Sequence, residues 1–262
     1  MDLDIRDDSA LVTASSSGLG KAAATALAHE GVNVVINGRD EERLAETKAE
    51  LSDAAGDVVS VQGDLTDEDD ITRMVERTVE EFGGMDHLVT SAGGPPSGPF
   101  LETTDEDWYH AFDLLVMSVV RLVRESTPYL RDGDGGTIVT ITSRSVKEAI
   151  DSLVLSNAVR MGVVGLEKTL SKELAPDIRA NAVLPGPHET NRIENLVEQS
   201  VERGEYDSYE AGLESRAQGI PLERIGDPME LGDVVAFLSS ERASYLNGIA
   251  VPIEGGAGAA NL

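Results

Sequence analysis

No cysteine occurs among the 262 residues. That removes disulfides, thiolate metal ligands and a thiol nucleophile together, and it suits a reducing intracellular compartment. No apolar run approaches the length of a membrane span, and the opening residues Met1 to Asp8 are acidic without an apolar segment, so a soluble, cytoplasmic chain is expected. No metal centre is expected either. Positive charge is scarce, with five lysines, at positions 21, 48, 147, 168 and 172.

Acidic residues dominate, 48 against 21 basic ones, for a net charge of -27. Such a charge repels nucleic acid and anionic lipid and strains the compact state through self-repulsion at low ionic strength. Concentrated salt would screen that repulsion. A saline cytoplasm, as in a halophile, is the simplest expectation, with an ordinary acidic protein as the alternative.

Short apolar runs recur at regular intervals: Ala10 to Thr13, Val32 to Ile36, Val58 to Val61, His87 to Thr90, Thr137 to Ile141, Ala180 to Leu184 and Ile249 to Ile253. They read as seven buried parallel strands. Segments of helical period lie between them, such as Lys21 to Glu30 closed by Gly31, and Ile71 to Phe82 closed by Gly83 and Gly84, where glycine supplies a left-handed cap. Strict alternation of strand and helix predicts an α/β fold, a doubly wound parallel sheet in a single domain over 1–262. The stretch 190–218 breaks the rhythm with about two helices' worth of charged residues, and we expect it to cover a substrate site.

Directly after the first strand stands Thr13-Ala14-Ser15-Ser16-Ser17-Gly18-Leu19-Gly20, and a helix begins at once. Small residues there let the backbone approach a pyrophosphate, and the helix N-terminus aims its amides at the negative charge. The segment resembles the Thr-Gly-x-x-x-Gly-x-Gly turn of the short-chain dehydrogenase/reductase family, with Ala14 in place of its first glycine. The resemblance continues in register along nearly the whole chain. Gly63-Asp64-Leu65-Thr66-Asp67 is similar to the family's adenine-contacting segment, Ser91-Ala92-Gly93-Gly94 to its Asn-Asn-Ala-Gly, and Asn181 to Gly186 with Thr190 to the Pro-Gly segment lining the nicotinamide.

The resemblance implies a Rossmann fold and a nicotinamide cofactor held by Thr13, Ser15, Ser16, Ser17, Gly18, Leu19, Gly20, Asp64, Leu65, Ala92, Gly93, Arg160, Pro185, Gly186, His188 and Thr190. NAD enzymes of this fold usually end the second strand with an acidic residue for the ribose hydroxyls. Here that place is Gly38, followed by Arg39, whose guanidinium suits a 2'-phosphate. NADP(H) is therefore the expected cofactor. Asp40, Glu41 and Glu42 read as first-turn charges of the next helix.

In the family a strand-end Ser polarises the substrate carbonyl, a Tyr thirteen residues later exchanges the proton, a Lys four beyond it lowers the phenol's pKa, and an Asn relays protons. This chain keeps Ser143, but has Ser156 for the Tyr, Arg160 for the Lys and Leu115 for the Asn. Ser156 and Arg160 still share a helical face. Arginine offers fixed charge but no exchangeable proton near neutrality. Ser143, Ser156 and Arg160 are the candidate catalytic residues. Lys147 is expected to be a solvated lysine and His188 a loop histidine without a proton role.

Two readings stay open at this point. One is an NADP(H)-dependent oxidoreductase acting on a small carbonyl or alcohol; the other is a catalytically silent NADP(H)-binding homologue with a regulatory or structural role. The family includes reductases of 3-oxoacyl carrier-protein thioesters, sugars and small ketones, and the residues name no ligand. The resemblance also implies a homotetramer, or a homodimer, packed through long helices over about Asp105 to Leu130 and Leu153 to Leu174. No nucleic-acid or membrane partner is expected.

Overall fold

The structure is a computed structural model describing residues 2–133, 135–202 and 204–260. All seven expected strands form: β1 (Ser9–Val12), β2 (Asn33–Gly38), β3 (Val58–Gln62), β4 (His87–Thr90), β5 (Gly136–Ile141), β6 (Ile178–Pro185) and β7 (Ala250–Ile253). They make one all-parallel sheet in the order β3-β2-β1-β4-β5-β6-β7. The chain runs outward from β1 to β3 on one side and from β4 to β7 on the other. A crevice must therefore open at the carboxyl ends of β1 and β4, where the winding reverses.

Helices cover both faces, which is why β1, β4 and β5 are buried throughout, polar side chains such as Thr90 and Thr140 included. One layer holds α1 (Gly18–His29) and α9 (Pro228–Ser239), with Ala23, Ala24, Leu27, Leu231 and Val235 in its core. The opposite layer holds α3 (Glu68–Phe82), α5 (Ser118–Leu130) and α6 (Val154–Glu173), centred on Ile71, Met74, Leu122, Leu155 and Val159. Helix α2 (Glu41–Glu50) begins at Asp40, whose carboxylate accepts from the amides of Glu42 and Arg43. That confirms the reading of this acidic run as helix-start chemistry.

Two expectations about helices need restating. The helix expected from Asp105 to Leu130 is broken: α4 (Asp105–Phe112) passes into a π-helical turn at Asp113–Met117 before α5 begins. Apolar residues continue through the turn, so helical periodicity alone hides it. The charged stretch at 190–218 does form two helices, α7 (Asn191–Glu202) and α8 (Tyr209–Ala217). Among the described residues no helix is long and apolar enough to cross a membrane.

Candidate active site

A cleft of about 870 Å³ lies over the carboxyl ends of the central strands. Its floor on the β1 side is the turn into α1. Ser16, Ser17, Gly18, Leu19 and Gly20 all line it. Ala14 holds φ +46, the left-handed conformation that costs an L-residue about 1–2 kcal/mol, so the turn keeps a glycine-like backbone at the place where its glycine is missing. Gly20 has no such latitude, because a Cβ there would stand 2.3 Å from the Ala14 carbonyl oxygen. The N-cap residue Ser17 makes no side-chain bond to the helix amides and the first turn of α1 carries no acidic residue. The amides and dipole of α1 are thus left facing the cleft, an arrangement that suits a phosphate.

Two predicted contacts in this turn are placed elsewhere. Thr13 is buried: its hydroxyl donates to the Ser91 carbonyl at 2.7 Å and accepts from the Ser91 amide at 2.9 Å. Ser15 is buried too, donating to the Val12 carbonyl at 2.6 Å and accepting from the Asn37 amide at 3.0 Å. Neither lines the cleft. Small polar residues in a turn can face either way, and here both hydroxyls hold the turn together from beneath. Sequence reasoning passed over Asn37, which does line the cleft. Its side-chain oxygen accepts from the Ala14 amide and its nitrogen donates to the Val61 and Gly63 carbonyls, tying the first turn to the loop after β3.

Gly38 and Arg39 follow. A Cβ on Gly38 would come within 2.6 Å of the Ser16 hydroxyl oxygen and 2.8 Å of its Cβ, so the acid expected of an NAD enzyme would have to displace the Ser16 side chain. The Arg39 side chain is 80% exposed and lies 3.8 Å from Asp64, and Arg43 also reaches the cleft. Asp64 and Leu65 line the same end. Burial pushes the Asp64 carboxyl up, but the amide and hydroxyl of Thr66, then Arg39 and His110, more than offset it and leave its pKa lowered. His110, on α4, is a further lining residue that the motif pattern did not mark.

At the β4 and β5 end, Ala92 and Gly93 line the cleft together with Ser143, Ser156 and Arg160. The candidate catalytic residues are thus brought into one place, although they come from the end of β5 and from α6. Ser156 bonds Ser145, hydroxyl to hydroxyl at 3.2 Å, and the Ser143 hydroxyl accepts from the Ser145 amide at 3.1 Å. Ser145 is buried and was missed, since only the fold places it between the other two. Arg160 is 8% exposed and has no carboxylate partner among the described residues; its guanidinium donates to the carbonyls of Thr142 at 3.2 Å and Gly93 at 3.4 Å. Burial lowers its pKa to about 10, so it keeps its charge at neutral pH.

Pro185, Gly186 and Thr190 complete the rim. His188 does not join them. Its ring is buried beside Gly226, Nδ1 lies 3.0 Å from the Gly186 carbonyl oxygen, and burial depresses its pKa. It stitches the Pro-Gly loop to residue 226, and its side chain does not line the cleft where a cofactor contact was expected. Lys147 is exposed and lies outside the cleft lining. Tyr109 is 74% exposed and does not line the cleft. Among the described residues no cluster of His, Cys, Asp and Glu could hold a metal ion.

A parallel sheet of this order, with a helix N-terminus and two arginines bordering the cleft at its switch point, defines a nucleotide-binding α/β protein. Residues 13–258 match the family model described as enoyl-(acyl carrier protein) reductase. The chain is 32% identical over 247 residues to the 3-oxoacyl-[acyl-carrier-protein] reductase of Thermotoga maritima, covering 94% of this chain and 96% of that one. It is 30% identical over 260 residues to an uncharacterised oxidoreductase of Bacillus subtilis, covering 98% of both. Among solved structures, L-sorbose reductase from Gluconobacter frateurii, complexed with NADPH and L-sorbose, superposes with a TM-score of 0.94 at 32% identity, covering 99% of this chain and 100% of that one. The chain belongs to the short-chain dehydrogenase/reductase family of oxidoreductases.

Proposed function

We propose that this protein is an NADP(H)-dependent oxidoreductase that interconverts a small carbonyl compound and its alcohol, using a site in which Ser143, Ser156 and Arg160 replace the family's Ser-Tyr-Lys set. The observation that carries the reading is the convergence of these three side chains on one cleft with the open N-terminus of α1 and with Arg39. The L-sorbose reductase and the actinorhodin polyketide ketoreductase that the fold matches were both solved with NADPH, which supports the choice of cofactor.

The residues present fit that cofactor. The uncapped amides of α1 would receive the pyrophosphate, Arg39 with Arg43 the 2'-phosphate, and Arg160 the nicotinamide ribose. Gly93 has open space on its Cβ side, so the backbone there lets a flat ring approach. When bound, NADP(H) supplies or accepts the hydride. The protein's own residues position the carbonyl and stabilise charge on its oxygen. Ser143, fixed by the Ser145 amide, donates its hydroxyl toward that oxygen, and the buried Arg160 adds a positive potential that water does not screen. Ser156, too short and too weakly acidic to act as a phenol does, hands a proton on through the Ser145–Ser156 pair only if another group resupplies it. Thr190 and Asn191, where α7 starts, stand on the rim, and we assign the stretch 190–218 as the cover over bound substrate.

The test is NADPH oxidation in high potassium chloride against a panel of sugars, small ketones and 3-oxoacyl thioesters. Turnover of at least one member supports the proposal. Tight NADPH binding with no turnover of any carbonyl or alcohol would favour the silent cofactor-binding module instead.

A further inference from the structure

Helix α6 carries a second polar group on its buried stripe. Glu167 lies seven residues beyond Arg160, on the face that also buries Leu155, Val159 and Val163, and it is 2% exposed. A carboxyl placed there must lose its proton at high cost or keep it. Its Oε1 accepts from the Thr140 hydroxyl on β5, and its Oε2 has no hydrogen-bond partner among the described residues. The Thr140 hydroxyl in turn bonds that of Thr90 on β4 at 2.7 Å.

The chain of hydroxyls does not end in packing. Thr90 and Thr140 both border a void of about 10 Å³ that Arg160 also borders, which is the room one water molecule needs. Arg160 Nε is buried and has no hydrogen-bond partner among the described residues, so this residue bordering the void keeps an unused donor. Arg160 itself lines the large cleft. Arg160 thus borders both the void beside the buried acid's hydroxyl partners and the cleft where the carbonyl would sit.

We propose that Glu167 stores the proton that is delivered to the cleft through Thr140, Thr90 and a water molecule held beside Arg160. This rests on the reductase reading above and supplies what that reading lacks, a source of protons in place of the phenol. On reduction the carbonyl carbon takes up hydride and its π pair becomes a lone pair on oxygen. That oxygen takes one proton from the water of the path, the water takes one from the threonine hydroxyls, and these take one from the Glu167 O–H bond once the Thr140 hydroxyl, which donates to Oε1 at rest, has turned to accept. After the alcohol leaves, the Glu167 carboxylate regains its proton from solvent along the same path. In the oxidation direction every transfer reverses.

Burial holds the Glu167 carboxyl well above the usual range, at about 8, with only the Thr140 bond working against it. The charged groups on the elements packed around α6 are engaged elsewhere. Asp113 pairs with Arg121, Arg144 with Glu148, Asp107 with Thr104, and Arg179 with the Leu238 and Ser240 carbonyls. His110 faces the large cleft, Asp105 and Glu106 are exposed, and on α6 itself Lys168, Lys172 and Glu173 are exposed.

The experiment combines infrared difference spectroscopy with kinetics on the full chain, its variants Glu167→Gln and Thr140→Val, and NADPH. The wild type at pH 7 should show the C=O stretch of a protonated carboxyl that vanishes near pH 8 and is missing from Glu167→Gln. Turnover in the reductive direction should fall at least tenfold in both variants and lose its decline near pH 8, with NADPH affinity within twofold of wild type. Thr140→Val, which cuts the path but keeps the acid, should retain the infrared band. Absence of the band, or wild-type rates and pH profile in both variants, overturns the relay alone. A wild type that shows the band and binds NADPH but reduces no carbonyl overturns the reductase reading, and the relay with it.

Discussion

The hydroxyl of Ser156 lies 3.2 Å from that of Ser145, whose amide donates to Ser143 at 3.1 Å. Three serines from two elements are thereby linked across the place where the family has one serine and one tyrosine. The link fixes the direction of the Ser143 hydroxyl without help from a phenol.

Ser143→Ala should therefore cut turnover by about a hundredfold, the effect of losing one donor to a developing oxyanion. NADPH affinity should stay within a few-fold of wild type, because the hydroxyl acts mainly in the transition state. Steady-state kinetics with fluorescence titration of NADPH checks both halves.

Arg160→Ala should behave differently. It should weaken NADPH binding and turnover together, since its guanidinium would meet the ribose and its charge stands unscreened in the cleft. The double substitution Ser156→Tyr with Arg160→Lys rebuilds the family's proton donor on the same helical face. An increased rate of carbonyl reduction in that variant is the expected outcome, and it would identify proton transfer as the limiting step.

NADPH should bind at least tenfold more tightly than NADH, a difference of about 1.4 kcal/mol. Arg39→Ala should erase most of that gap while leaving NADH affinity unchanged, as measured by calorimetry. Equal wild-type affinities for the two would contradict the role given to Arg39.

Glu167 also makes stability depend on pH. Its folded pKa is raised from 4.5 to about 8, so between those values the native state holds a proton that the unfolded chain has released. The contribution is fully present below about pH 4.5 and is lost as pH rises to about 8. Glu167→Gln should remove this slope, so that the melting temperature of the variant gains on wild type across that window. Parallel curves would show that the carboxyl ionises normally.

Thermal stability should rise as potassium chloride goes from the tenth-molar range to molar, because screening relieves the self-repulsion of a net charge of -27. A flat or falling melting curve across that range would count against a saline working environment.

Strands were easily legible in the sequence, because strands buried on both faces are predominantly apolar, as Leu11 and Ile138 in the centre of the sheet illustrate. The turn into α1 was legible through Gly18 and Gly20. What the pattern could not supply was direction. Thr13, Ser15 and His188 are close in sequence to true lining residues, yet their side chains bond the backbone beneath or behind the cleft. Asn37, Ser145 and Glu167 were missed for the converse reason, since each acquires its meaning from a partner distant in sequence or carried on another element. For Glu167 a signal was present: a charged residue at the spacing of the apolar stripe of α6. The π-helical turn at Asp113–Met117 left no such mark.

The close packing of Gly38 against Ser16 bears on how such a protein can change over time. A single mutation that installs an acid at position 38 collides with the Ser16 side chain before it can recognise a second ribose hydroxyl. A lineage moving from one nicotinamide to the other would have to trim position 16 first, or pass through an intermediate that holds neither cofactor well. Cofactor preference in this chain is thus guarded by sterics as well as charge, and its drift is gated by the order in which two substitutions occur.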